Sequence, residues 1–140
     1  MKTNFDGAMF AESDQAGIGV VVRNHRGHVM AALAEKIPKP ASTEVLEVLA
    51  ARRAVQFTLE LGFTHSIFEG DAEIVIRALA EGNSSIHSIG HIVKDIESLF
   101  GEGFFITQFS SLNFHHSSLI FSLIWQHHFY FHHSIFSHYS

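Results

Sequence analysis

The chain of 140 residues contains no cysteine, which rules out a disulfide framework and a cysteine-ligated zinc site. The absence of thiols suits any redox compartment and so places the protein in none. Proline is confined to Pro38 and Pro40. No long apolar run occurs: the best piece of the C-terminal stretch, Leu119 to Trp125, is broken by Ser122 and falls far short of the roughly 20 residues a membrane helix needs. The N-terminus, MKTNFDGAMF, is soon interrupted by Asp6, Glu12 and Asp14. It lacks the apolar centre of a secretory signal and the Arg/Ser-rich character of a transit peptide, so a nuclear or cytoplasmic protein is expected. The net charge of −5 argues against a pure nucleic-acid clamp, which would carry a basic face. It leaves room for an enzyme that meets nucleic acid through bound cations.

Charge of either sign is also missing from one end of the chain. From Met1 to Glu102 the charged residues are spread evenly, and after Glu102 there is no Asp, Glu, Lys or Arg. The last stretch, SLNFHHSSLIFSLIWQHHFYFHHSIFSHYS, is built almost wholly from Phe, Ser, His, Leu and Ile. This divides the chain into a domain over residues 1–110 and a tail over residues 111–140, expected to be disordered or poorly packed. The His pairs at 115–116, 127–128 and 132–133 are a compositional hint of metal binding, but neighbouring side chains diverge on a strand and sit poorly on a helix. The five dominant residue types of the tail can all be read from pyrimidine-rich codons. The composition therefore points to translated intron or frame-shifted sequence, which the exon structure of the transcript would test.

Within the first part, Thr3 to Phe10 starts as an extended segment. Ala16 to Arg23 is valine-rich and strand-like, Asn24 to Gly27 is a polar turn, and His28 to Ala34 returns as another strand. Three strands joined by short links form an antiparallel meander, which Pro38 and Pro40 close. Ser42 or Thr43 can cap a helix whose early turns carry Glu44 and Glu47. Val45, Leu46, Leu49, Ala50, Ala54, Phe57 and Leu61 follow at near-helical spacing, and Gly62 is a stop. Then come a strand at His65 to Glu69, helices over 72–80 and 86–100, and a last strand at Phe104 to Phe109. This order describes an α/β mixed sheet with flanking helices, whose later strands return by helical crossovers.

Three carboxylates stand out by position. Asp6 lies in the first strand, Glu47 early in the long helix and Asp71 at the end of the fourth strand. Ligands of open sheets collect at the carboxyl ends of strands. Carboxylates converging on one point repel one another unless divalent cations fill the space between them. An all-oxygen donor set suits Mg²⁺ or Mn²⁺. Two such ions about 4 Å apart activate water and stabilise the leaving oxygen in phosphodiester hydrolysis. The blander alternatives are that Asp71 caps the helix starting at Ala72 and that Glu47 favours the helix dipole.

The strings NFDGA and GIGVVVRNHRGHVMAAL, then EVLEVLAARRAVQFTLELGF and IFEGDAEIVIRALAEG, occur in this order between Asn4 and Phe109. Together they resemble the plant ribonuclease H-like domains of retroelement-derived reverse transcriptase proteins. The resemblance implies a ribonuclease H-like fold: a five-stranded mixed sheet with flanking helices, its first three strands antiparallel and its fifth parallel to its fourth. It also implies hydrolysis of RNA in an RNA–DNA hybrid by a monomer with Mg²⁺ or Mn²⁺, without a small-molecule cofactor or a membrane. On this reading Asp6, Glu47 and Asp71 are the catalytic, metal-holding carboxylates, with Glu44 the second choice for the helix glutamate.

The resemblance ends at the tail. The family continues into a C-terminal helix that, in active members, adds a fourth carboxylate, and a loop before it often adds a histidine. Here SSLNFHHSSLIFSLIW matches neither, and His115 and His116 do not take the histidine's place. Activity is expected to be strongly reduced, and solubility poor. Arg23, Arg26, Arg52, Arg53 and Lys94 could touch phosphates, although Arg52 and Arg53 read as a solvated helix face. Three functions compete: a ribonuclease H-type nuclease, a non-catalytic nucleic-acid-binding or vestigial module, and a membrane-associated or metal-binding protein defined by its tail.

Overall fold

The computed structural model describes residues 1–63, 65–70, 89–100, 105–111 and 136–137. In chain order the elements are β1 (Lys2–Met9), β2 (Gln15–Arg23), β3 (Val29–Pro38), α1 (Thr43–Glu60), β4 (His65–Gly70), α2 (Gly90–Phe100), β5 (Phe105–Ser111) and β6 (Phe136–Ser137). The expected helix over 72–80 lies outside the described residues, as do residues 86–88 of the expected helix over 86–100.

Among the described residues the sheet runs β5-β4-β1-β2-β3-β6. β1, β2 and β3 are antiparallel, β4 is parallel to β1, and β5 is parallel to β4. This is the mixed sheet and strand direction expected from the sequence. A sixth strand is added to the expected five: β6 pairs with the edge of β3 at Ala31–Ser137 and Ala32–Phe136.

β3 also runs further than its apolar pattern indicated, to Pro38 in place of Ala34. The charged pair Glu35-Lys36 breaks the alternation, yet Ile37 still pairs with Ala16 and Pro38 with Gln15. Proline ends the strand because it brings no N–H to the ladder. The β2–β3 link is held by Asn24, whose Oδ1 accepts from Arg26 N at 2.9 Å and His28 N at 3.0 Å. Gly27 takes the left-handed conformation of that link, with φ 81°.

α1 begins at Ser42, whose hydroxyl accepts from Val45 N at 3.2 Å. Its buried residues include Ala50, Ala51 and Ala54, small enough to let the helix lie close to its neighbours. The core joins Phe5, Ile18, Val20, Val22 and Leu33 of the sheet to Leu46, Val48, Val55 and Phe57 of α1. Ile92, Val93 and Ile96 of α2 complete it at helical spacing.

Three buried hydroxyls cross this core. Thr3 Oγ1 lies 3.0 Å from Thr58 Oγ1 and 2.7 Å from Ser66 Oγ, and Thr58 donates to Ala54 O at 2.8 Å. Each hydroxyl has one proton. Since that of Thr58 goes to Ala54, Thr3 donates to Thr58 and Ser66 donates to Thr3. The relay ties β1, α1 and β4 together.

Candidate active site

β1 carries Asp6 in the middle of the sheet, opposite Gly19 of β2. The side chain is half-buried, and its Oδ1 accepts from Gly7 N at 2.9 Å. Gly7, next along the strand, faces α1. A Cβ there would sit 2.7 Å from Leu46 Cγ, so a glycine is what lets the helix approach the strand. Glu47 follows Leu46 in the second turn of α1 and is half-buried, whereas Glu44 is exposed in the first turn. The immediate neighbours of Asp6 and Glu47 are thus in contact, which brings the two carboxylate-bearing backbones to the same part of the fold.

β4 reaches this region in parallel with β1. Their pairing ends at Phe5–Gly70, and a side chain on Gly70 would run into the Phe5 ring. Asp71 follows Gly70 in the chain and lies outside the described residues. Among the described residues no three His, Cys, Asp or Glu side chains are grouped as a metal site. Carboxylate oxygens on β1 and α1 have the donor chemistry that a hard divalent cation takes.

Beside these residues is a polar bridge not foreseen from the sequence. Asn4 Nδ2 donates to Glu69 Oε2 at 2.9 Å, and Lys2 Nζ stands 3.1 Å from Glu69 Oε1. Alternation along β1 puts Lys2 and Asn4 on the sheet face that also carries Asp6. Asn4 is recognisable only once β1 and β4 are known to pair in parallel, a long-range register with no local sequence signal.

Two of the basic candidates are committed elsewhere. Arg52 pairs with Asp95 of α2 at 3.0 Å. Arg53 donates to Glu35 of β3 at 2.7 Å and to Glu60 at 3.0 Å. Neither side chain is the freely solvated group expected: they are 30% and 21% exposed. Partial burial works against the charge of Arg53, but its hydrogen bonds and proximity to Glu35 and Glu60 outweigh it and raise its pKa above the ordinary guanidinium value. Arg26 and Lys94 are exposed, on the β2–β3 link and α2.

The sequence profile of a family described as reverse transcriptase-like matches residues 4–121. No curated protein matches the chain in sequence. Among solved structures, ribonuclease H1 of the halophilic archaeon Halobacterium salinarum is similar, with a TM-score of 0.76 at 20% identity over 87% of this chain and 92% of that one. LC11 ribonuclease H1, solved in complex with an RNA/DNA hybrid, gives 0.73 at 17% identity over 86% and 91%. The foamy viral protease-reverse transcriptase, also solved with an RNA/DNA hybrid, gives 0.63 at 12% identity over 84% of this chain and 18% of that one. At these identities the likeness is one of fold.

Proposed function

The chain belongs to the reverse transcriptase-like family, and from that premise we propose that it is a ribonuclease H-type domain hydrolysing the RNA strand of an RNA–DNA hybrid. The observation that carries this reading is the packing of Leu46 on Gly7, which sets the helix carrying Glu47 against the strand carrying Asp6. Asp71 supplies the third carboxylate. These residues would hold Mg²⁺ or Mn²⁺, which when bound supplies an activated water and charge stabilisation at the leaving oxygen. On this reading Asp6 would contribute its oxygens from β1 and Glu47 from α1. The nucleic acid is the expected partner because the similar LC11 and foamy viral proteins were solved with RNA/DNA hybrids.

A second reading is favoured by one observation: no carboxylate follows Glu102. The fourth metal-holding carboxylate expected of active relatives then has no source in this chain, and the domain binds hybrid without cutting it.

The test is cleavage of a labelled RNA–DNA hybrid with Mg²⁺ or Mn²⁺, with Asp6→Asn and Asp71→Asn as controls. Weak, metal-dependent cutting that both controls abolish is the expected result. Hybrid binding without cutting by a folded preparation favours the second reading, and the absence of both overturns each of them.

A further inference from the structure

Asn4 and Glu69 join the two strands on which the site depends, and the chemistry above makes no use of them. They face each other in the parallel register, one rung before the final pair Phe5–Gly70. Asp6 follows that pair on one strand, and Asp71 is the residue after it in the other segment. Asn4 is 5% exposed, and the Glu69 side chain, held between Asn4 and Lys2, is 15% exposed.

A sheet interior asks for an apolar pair at such a rung. Val21, the β2 neighbour of Asn4 on the same face, is one. A buried amide bonded to a shielded carboxylate costs more desolvation than two aliphatic groups. What the polar bridge adds is directional geometry. The β1–β4 ladder spans four rungs, from Lys2–Ile67 to Phe5–Gly70, and parallel pairing holds slightly less firmly than antiparallel pairing.

The geometry points to Asn4 and Glu69 as a positioning pair that fixes the offset between the ends of β1 and β4, and with it the spacing of the metal-holding carboxylates. Lys2 neutralises Glu69, so its charge does not add to the repulsion among those carboxylates. The inference rests on the nuclease reading above. It assigns Asn4 and Glu69 no contact with metal or substrate; they act through the strands.

The experiment follows Mn²⁺ in two ways: the rise in thermal midpoint on titration, and the concentration giving half-maximal cleavage of a hybrid. Glu69→Met keeps length but removes the acceptor, and Asn4→Ala removes the donor. Each should raise both Mn²⁺ requirements about tenfold, the scale of supporting residues around metal sites, with KM for the hybrid unchanged. Glu69→Gln combined with Lys2→Met keeps an acceptor and the charge balance, and should recover most of the loss.

Lower metal-free stability with an unmoved Mn²⁺ requirement would overturn the inference, as would failure of the double variant to improve on Glu69→Met. The thermal readout separates this from the parent reading. A wild type that is stabilised by Mn²⁺ but cuts nothing defeats the nuclease reading, while the expected shift in the variants still supports the positioning pair. A wild type without Mn²⁺ stabilisation overturns both.

Discussion

Leu46 rests on the backbone of Gly7, with no room for a methyl group between helix and strand: a Cβ at Gly7 would stand 2.7 Å from Leu46 Cγ. The contact lies one residue from Asp6 and one from Glu47, so any shift in it changes the relation of the two carboxylates.

Gly7→Ala is therefore expected to cost about 1–3 kcal/mol as overpacking and to lower hybrid cleavage by a larger factor, about tenfold or more, through misplacement of Glu47. Leu46→Ala in the same chain should restore part of the activity by making space. Cleavage as fast as wild type in Gly7→Ala would show that the contact does not set the site.

The hydroxyl relay predicts an order of stabilities. Thr3→Val removes the central member, leaving Ser66 without its acceptor at Thr3 and Thr58 without its donor. Thr58→Val leaves the hydrogen bond from Ser66 to Thr3 in place. Urea unfolding should show a loss of about 1–3 kcal/mol for the first and about 1 kcal/mol for the second. Equal losses, or the reverse order, would contradict the proton assignment.

Arg53 supplies a prediction about salt and pH. Its pKa is raised in the folded state, so the stabilisation it gives is fully present below the unfolded value. It is lost only as pH rises through the guanidinium range. Between pH 7 and 10 the cost of Arg53→Ala should stay constant, at about 1 kcal/mol for a partly exposed pair of ion pairs. It should shrink on going from about 0.05 M to about 1 M salt, where the screening length falls to about 3 Å. A cost that varied with pH and not with salt would refute this account.

Ser42 caps the helix that carries Glu47, and its side chain holds Val45 N at 3.2 Å. Ser42→Ala should remove about 1 kcal/mol and loosen the turn before Glu47, whereas Ser42→Asp should retain the cap. Amide exchange at Val45 reads this directly. Unchanged protection in Ser42→Ala would mean that packing, not the cap, fixes the helix start.

Much of this was legible in the sequence because it is local. The valine-rich run AGIGVVVR marks β2, the Ser42 cap and Gly62 bracket α1, and Asp6 and Glu47 stand out inside those patterns. The end of β3 was hidden because Glu35 and Lys36 look like a turn until Arg53 is seen to hold Glu35. Arg53 in turn looks solvated until β3 and Glu60 are placed beside it. Asn4 and Glu69 are separated by 65 positions, and only the parallel register joins them. β6 arises in a stretch of Phe, Ser and His whose composition carries no period that would mark a strand.

The sheet changes from antiparallel to parallel pairing at β1, with consequences for the order of assembly. β1, β2 and β3 are joined by short links and can zip together from nearby contacts, whereas β4 reaches β1 only after the chain has passed through α1. Nonlocal pairings of that kind form late, because loop closure must precede them. The meander carrying Asp6 can thus be present while β4 is still undocked. Pulse-labelled amide exchange should protect Val20–Val22 before Phe68. Hydrolysis would then report completion of the last docking event, so incomplete chains would be inert toward nucleic acid even when half their sheet is formed.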